Sequence, residues 1–193
     1  MKNKVKIFSI IGFYGLLALI LISYFFFNRS PIQLEKGIYV HQSKTNIKFN
    51  LIDNKGNLYT ESQLKGHWSL LFFGFSSCER ICPLTLHMLS ETYEGLPVSK
   101  RPQILFISVD PQRDSLPVLN HYLGQFKAPF TALRGEMKSI NTLQKQLRVS
   151  VSSTPMSHGT EIVLINPQGK IQAYFYYPLS AKTLIADLNR VIH

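Results

Sequence analysis

Two uninterrupted apolar segments, each followed by a helical pattern, constrain the fold of this chain more than any other feature. The first segment is HWSLLFFGF, from residue 67 to residue 75, and the second is QILFISVD, from residue 103 to residue 110. Apolar runs of this length are typical of strands that are buried on both faces of a parallel sheet. Because helix-forming residues separate the two runs, the sequence predicts a strand–helix–strand crossover.

The remaining segments extend this unit into a mixed α/β architecture. A strand pair joined by a turn is predicted over residues 46–59, and two more helices over residues 116–126 and 137–147. A hairpin with its turn at residues 166–169 follows, and then a closing amphipathic helix capped by Ser180. This order predicts a mixed sheet with helices on both faces, as in the thioredoxin fold, although periodicity alone leaves other α/β folds open.

The N-terminus predicts a membrane anchor. Three lysines precede an uncharged apolar run over residues 7–27, which is close to the roughly 20 residues that span a bilayer as a helix. A cleaved signal peptide usually has a shorter apolar region that ends in small residues, whereas this run ends in four bulky aromatic residues. We therefore expect a single-pass bacterial inner-membrane protein with an anchor at 1–29, a linker and first strand at 30–45, and a periplasmic domain at 46–193.

The net charge of +10 does not predict a nucleic-acid-binding protein. Four of the 21 Lys and Arg residues belong to the membrane segment and its flanks, which leaves 17 basic and 11 acidic residues in the rest of the chain. The basic residues there do not form a dense cluster. A diffuse positive surface is typical of solubility, or of attraction to an acidic partner or a lipid surface. Because the domain is also expected outside the cytoplasm, we do not expect nucleic acid as a partner.

The chain has two cysteines, Cys78 and Cys82, and both follow the first buried strand. A helix N-terminus stabilises a thiolate, and Arg80 lies between the two cysteines. On a helix this spacing separates the Cβ atoms by about 5–6 Å, which is more than the roughly 3.5–4.5 Å of a disulfide. If Cys78 precedes the helix, a metal site and a reversible disulfide both stay open. Soft thiolates favour Cu(I) or Zn(II), and a structural disulfide would gain little from closing so short a loop.

Two thiolates rarely complete a metal site, so a third ligand is expected. Among the six histidines, His158 lies in a polar loop, SSTPMSHGTEIVL, that leads directly into a strand. In a thioredoxin-like topology this loop approaches the cysteine loop. The residues alone leave an ordinary surface histidine as an equal alternative.

Three linked segments resemble the Sco/SenC family, the thioredoxin-like copper proteins that assist assembly of cytochrome c oxidase. LLFFGFSSCERICP resembles the family's aromatic-rich strand and its Cys-x3-Cys-Pro motif. ILFISVDPQRDSLPVLNHYLGQF resembles its Val-Asp-Pro-x-Arg-Asp segment and the helix that follows, and MSHGTEIVLINPQGK resembles its histidine loop and turn. The resemblance covers residues 47–191.

The resemblance implies that Cys78, Cys82 and His158 bind copper as Cu(I), and also as Cu(II), and that Asp110 and Asp114 shape the loop beside the site. It implies a metallochaperone that receives copper from a periplasmic donor and delivers it to the dinuclear copper site of cytochrome c oxidase subunit II. The chain departs from the family where Glu79-Arg80-Ile81 replaces the common Pro-Asp-Val, which makes the site less negative.

A thiol–disulfide oxidoreductase is the main alternative function, with the oxidase copper-site cysteines as its substrate. In that reading Cys78 and Cys82 are catalytic residues, Cys78 as the attacking thiolate and Cys82 as the resolving thiol. His158 discriminates between the two functions, because three-coordinate copper requires it and thiol exchange does not. A peroxidase on a related scaffold comes last, because no Pro-x-x-x-Thr-x-x-Cys pattern precedes Cys78.

Overall fold

The computed structural model describes residues 14–24, 32–41, 43, 45–149 and 161–192. The chain divides into two compact units, Met1–Ile32 and Gln33–His193. In the first unit, residues 14–24 form a helix with exposed side chains. Among the described residues no helix is both long enough and apolar enough to cross a bilayer. Residues 7–13 and 25–27 of the predicted span lie outside the described residues, so the anchor stays a prediction.

A mixed sheet forms the centre of the second unit, with eight strands in the part of the chain that the structure describes. In chain order they are β1 (Gly37–Tyr39), β2 (Asn50–Asp53), β3 (Leu58–Thr60), β4 (Ser69–Gly74), β5 (Gln103–Ser108), β6 (Phe130–Arg134), β7 (Ile162–Ile165) and β8 (Ile171–Phe175). Their order across the sheet is β1-β8-β7-β4-β5-β6-β2-β3. β4, β5 and β6 are parallel, and β7 is antiparallel to β4.

Four α-helices belong to this unit in the described part of the chain, and a serine caps the start of two of them. They are α1 (Ile81–Gly95), α2 (Leu116–Leu123), α3 (Met137–Leu147) and α4 (Ala181–Val191), with short 3-10 helices at Glu61–Leu64 and Val98–Lys100. The side chains of Ser115 and Ser180 accept hydrogen bonds from backbone N–H groups in the first turns of α2 and α4. Both serines thus satisfy donors that a helix start leaves without partners, and the predicted cap at Ser180 is confirmed.

Helices cover both faces of the sheet, as predicted. On one face, alternate residues of β4 and β5 pack against α3 in a buried cluster that includes Phe73, Ile107 and Leu143. On the other face the ring of Phe72 lies 6.1 Å from that of Phe106, which in turn lies 6.0 Å from the ring of Tyr122 on α2. Because successive residues of a strand point to opposite faces, the continuous apolar runs of β4 and β5 supply both layers of the core.

The strand β6 was missing from the sequence prediction. It reads FTALR, and only Ala132 and Leu133 within it are buried. Such a short segment lacks the apolar run that identified β4 and β5. Its pairing with β5 makes β6 the third parallel strand, and β2 then adds to its outer side.

Buried Asp187 of α4 attaches the segment that precedes β1. Its carboxylate accepts hydrogen bonds from the backbone N–H groups of Glu35 at 2.7 Å and Lys36 at 3.2 Å. The guanidinium of Arg190 lies 3.2 Å from the same carboxylate. A fully buried carboxylate is stable only with such partners. These hydrogen bonds attach the segment before β1 to α4 through polar contacts, which an apolar sequence pattern does not predict.

Candidate metal centre

The chain leaves β4 and β5 and enters β7 at the same end of the sheet. The parallel pairing of β4 and β5 places Gly74 beside Ser108, so the loops that follow both strands leave the sheet together. The antiparallel pairing of β4 and β7 places Phe72 beside Ile162, so the chain enters β7 at this same end. The cysteines therefore lie where the topology brings together residues that are distant in the sequence.

The two cysteines occupy different environments. Residues 75–80 form the cysteine loop, and α1 begins directly after it at Ile81. Cys78 is half-buried in this loop, whereas Cys82 is fully buried as the second residue of the helix. The backbone N–H of Cys82 donates a hydrogen bond to the Cys78 sulfur at 3.3 Å. Because Cys78 precedes the helix, the Cβ separation of a regular helix does not apply, and both a shared metal and a reversible disulfide are compatible with the loop.

Gly74 provides the space for the buried sulfur. A Cβ atom at this position would lie 3.0 Å from the Cys82 sulfur and 2.7 Å from a ring atom of Phe106. Any side chain there would have to displace one of the two. The glycine at the end of β4 thus allows Cys82 to pack directly against the strand.

Burial raises the pKa of the Cys82 thiol, and contact with the Cys78 sulfur raises it further. The helix N-terminus had been expected to stabilise a thiolate, but at Cys82 the removal of water is the larger effect. Cys82 is consequently a neutral thiol before it binds a metal. A metal ion bound there must displace its proton.

Asp114 holds the start of the cysteine loop. Its buried carboxylate accepts hydrogen bonds from the backbone N–H of Ser76 at 3.2 Å and from the Ser76 hydroxyl at 2.5 Å. The hydroxyl of Ser108, the last residue of β5, donates to the same carboxylate at 2.6 Å. The contacts agree with the loop-shaping role that the resemblance implied for Asp114. The carboxylate of Asp110 instead pairs at 3.2 Å with Arg113, whose side chain is 71% exposed.

Asp114→Ala is expected to lower the free energy of unfolding by about 3 kcal/mol, because it leaves buried donors without their charged acceptor. It should also weaken the copper binding that the resemblance implies, because the loop that carries Cys78 loses its attachment. Asp187→Ala is the matched control, since it removes an equally buried carboxylate that bonds to Glu35, Lys36 and Arg190 instead. Urea denaturation should give similar losses for both variants, while copper titration should show a loss only for Asp114→Ala. Equal copper affinity in the two would contradict the role assigned to Asp114.

The histidines within the described residues do not complete a metal site. His87 lies edge-on to Phe126 with a ring separation of 5.0 Å, and His41 makes a similar contact with Tyr39. In the described ranges no three His, Cys, Asp or Glu side chains converge as a metal-binding group. His158 lies outside those ranges, and its role as a ligand stays a prediction.

Comparisons with known proteins agree with the architecture described above. The family model SCO1/SenC matches residues 39–193. An SCO2-like protein of Rickettsia prowazekii (strain Madrid E) is 31% identical over 167 residues, which cover 81% of this chain and 82% of that protein. A crystal structure of yeast Sco1 with copper bound has a TM-score of 0.69 and 31% identity, and the match covers 77% of this chain and 87% of the other. A structure of Bradyrhizobium japonicum ScoI with copper bound has a TM-score of 0.64 and 28% identity, with 74% and 96% covered.

Proposed function

Because the chain belongs to the SCO1/SenC family, we propose that it binds copper through Cys78, Cys82 and His158 and serves in the assembly of cytochrome c oxidase. The observation that carries this proposal is the pair of thiols after β4: Cys78 is half-buried in a loop held by Asp114, and Cys82 is fully buried in the first turn of α1. Thiolate and imidazole ligands suit Cu(I), and the two similar structures named above contain copper.

The length of the chain supports His158 as the third ligand. His158 is three residues from Glu161, and an extended chain spans about 3.3–3.6 Å per residue, so the two Cα atoms are within about 11 Å of each other. Glu161 directly precedes Ile162, which pairs with Phe72 of β4. Covalent connectivity thus limits how far His158 can be from the end of the sheet that carries the cysteine loop.

The unequal burial of the two thiols suits a protein that holds its metal and then passes it on. In this proposal copper is cargo. The buried Cys82 sulfur retains the ion, and the more accessible Cys78 sulfur is the ligand that an acceptor thiolate replaces first. Each thiol releases one proton when it binds the metal and takes one back on release.

The proposal also includes the cellular location of the domain and the proteins with which it exchanges copper. The apolar run at residues 7–27 anchors the chain in a bacterial inner membrane, and the domain faces the periplasm. A periplasmic donor supplies copper, and the dinuclear copper site of cytochrome c oxidase subunit II receives it. The excess of basic residues favours an acidic docking surface on that acceptor.

A thiol–disulfide oxidoreductase is the second candidate function, favoured by the same asymmetry between the cysteines. The half-buried Cys78 sulfur attacks a disulfide of the partner, and the buried Cys82 then displaces the partner from the mixed disulfide. The cysteine pair loses two electrons and two protons, and the partner's disulfide becomes two thiols. This reaction does not require His158.

Copper titration of the reduced full-length protein tests the proposal. We expect one Cu(I) per chain in anaerobic competition with a Cu(I) chelator, because two thiolates and one imidazole complete a three-coordinate site. The oxidation state can be checked by the absence of a Cu(II) signal in electron paramagnetic resonance. A protein that binds no copper but forms a readily reducible Cys78–Cys82 disulfide would support the oxidoreductase instead.

A further inference from the structure

A groove of about 480 Å³ lies beside the cysteine loop. Ser76, the second residue of that loop, forms one wall, and residues of α2 and of the turn after it form the other. The lining residues are Ser76, Pro117, Val118, His121, Tyr122 and Gln125. The apolar side chain of Val118 is 41% exposed. Because water contacts this apolar wall in the free protein, a partner that covers it would gain favourable free energy.

The carboxylate of Asp114 connects the two walls of the groove. It accepts hydrogen bonds from the backbone N–H and the hydroxyl of Ser76, and Asp114 directly precedes Ser115, the residue that caps α2. The Ser115 hydroxyl in turn accepts a hydrogen bond from the backbone N–H of Val118 at 3.4 Å. The groove is therefore formed before a partner arrives, and a preformed site loses little conformational freedom on binding.

Aromatic and apolar side chains continue from the groove to the helix that follows the cysteine loop. The ring of Tyr122 lies 5.6 Å from that of Phe126, and the Phe126 ring lies 5.0 Å from that of His87 on α1. Leu84 precedes His87 by three residues, so the two lie on the same face of α1. The side chain of Leu84 is 57% exposed. An apolar surface thus reaches from the groove to the first turns of α1.

The exposed charges around the groove favour an acidic partner. The segments that border it are residues 75–80, 110–118 and 121–127. Their exposed Lys and Arg residues are Arg80, Arg113 and Lys127. Of the acidic residues in the same described segments, Glu79 alone is exposed, because Asp110 and Asp114 are buried. Together with the excess of basic residues in the chain, these side chains attract a partner that carries carboxylates around its contact surface.

We propose that this groove receives an apolar side chain, flanked by acidic residues, of the protein that accepts copper from Cys78. The inference rests on the proposed function, in which the acceptor brings a thiolate to the Cys78 sulfur. Cys78 is two residues from Ser76, so their Cα atoms are within about 7 Å of each other. An acceptor that reaches the sulfur therefore also covers the groove. Docking there holds the acceptor's ligands in place while copper is exchanged.

Val118→Asp tests the inference, because it places a charge on the apolar wall of the groove. An acidic residue in the first turn of a helix is favourable, so α2 should persist, and urea denaturation checks this. The full-length protein carrying one Cu(I) is mixed with the purified copper-free soluble domain of cytochrome c oxidase subunit II. We expect the second-order rate constant of copper transfer to fall about tenfold, because docking would bury an unpaired carboxylate. The copper content of both proteins is measured after rapid separation.

Val98→Asp is the matched control. Val98 is 78% exposed and lies in the short 3-10 helix that precedes β5, away from the cysteine loop, so the variant adds the same charge elsewhere. Its rate constant of transfer should equal that of the wild type. A small chelator does not use the groove, so it should remove copper from all three proteins at the same rate. Slower removal from Val118→Asp alone would assign the effect to the copper site and contradict the docking role.

The outcomes separate this inference from the proposed function. Equal transfer rate constants for Val118→Asp and Val98→Asp would overturn the inference, even if the wild type delivers copper. A wild type that transfers no copper would count against the proposed function, and docking is then read from the dissociation constant of the two copper-free proteins. Binding that is about tenfold weaker for Val118→Asp alone would still support the groove. No measurable binding, or equal binding by both variants, would overturn it.

Discussion

Cys82→Ser is expected to abolish stoichiometric copper binding. The serine fits the volume that Cys82 occupies between Gly74 and α1, so the fold should persist. A hydroxyl is a hard donor and stays protonated at neutral pH, so it cannot replace a soft thiolate as a ligand of Cu(I). The loss in affinity should exceed the roughly 10–100-fold that accompanies removal of a group outside the ligand set.

Competition with a Cu(I) chelator measures this effect in the reduced full-length protein. Cys78→Ser should also lose stoichiometric binding, because one thiolate and one imidazole then remain. Ser77→Ala is the control from the same loop, since its exposed side chain lies next to Cys78 and should have no effect on affinity. Retention of one tightly bound Cu(I) by Cys82→Ser would exclude the buried sulfur as a ligand.

The sequence predicted those parts of the fold that depend on local patterns. The runs that became β4 and β5 are mostly apolar, and the predicted cap of α4 is a serine that accepts a hydrogen bond from a nearby N–H group. β6 was missed because its five residues carry too little apolar character, and its position depends on pairing with β5. Pairing between strands that are distant in the sequence leaves no periodic signal within either strand.

The same distinction applies to the candidate site. The cysteine pair was visible because the two cysteines are only four residues apart in the sequence, and the resemblance singled out Asp114. Its partners Ser76 and Ser108 could not be predicted, because Ser76 and Asp114 are 38 residues apart and meet only when β4 and β5 pair. The burial of Cys82, which reverses the expected direction of its pKa shift, likewise depends on the tertiary packing around Gly74 and Phe106.

His158→Ala is expected to weaken copper retention by at least about tenfold, the change that follows from a loss of roughly 1.4 kcal/mol in binding free energy. Disulfide formation between Cys78 and Cys82 should be unaffected, because thiol exchange uses sulfur atoms alone. Chelator competition measures the first quantity, and equilibration with glutathione measures the second. His121→Ala is the control, since this exposed histidine lines the groove next to the cysteine loop and should leave both quantities unchanged.

The two measurements on His158→Ala separate the candidate functions, because each function makes a different demand on the imidazole. A copper carrier needs a third ligand to hold Cu(I) against competing thiols, so weaker retention with normal disulfide formation supports metal delivery. Unchanged retention would mean that the two thiolates suffice or that another residue completes the site. The three-ligand proposal would then fail, and the buried Cys82 and half-buried Cys78 would fit better with thiol–disulfide exchange.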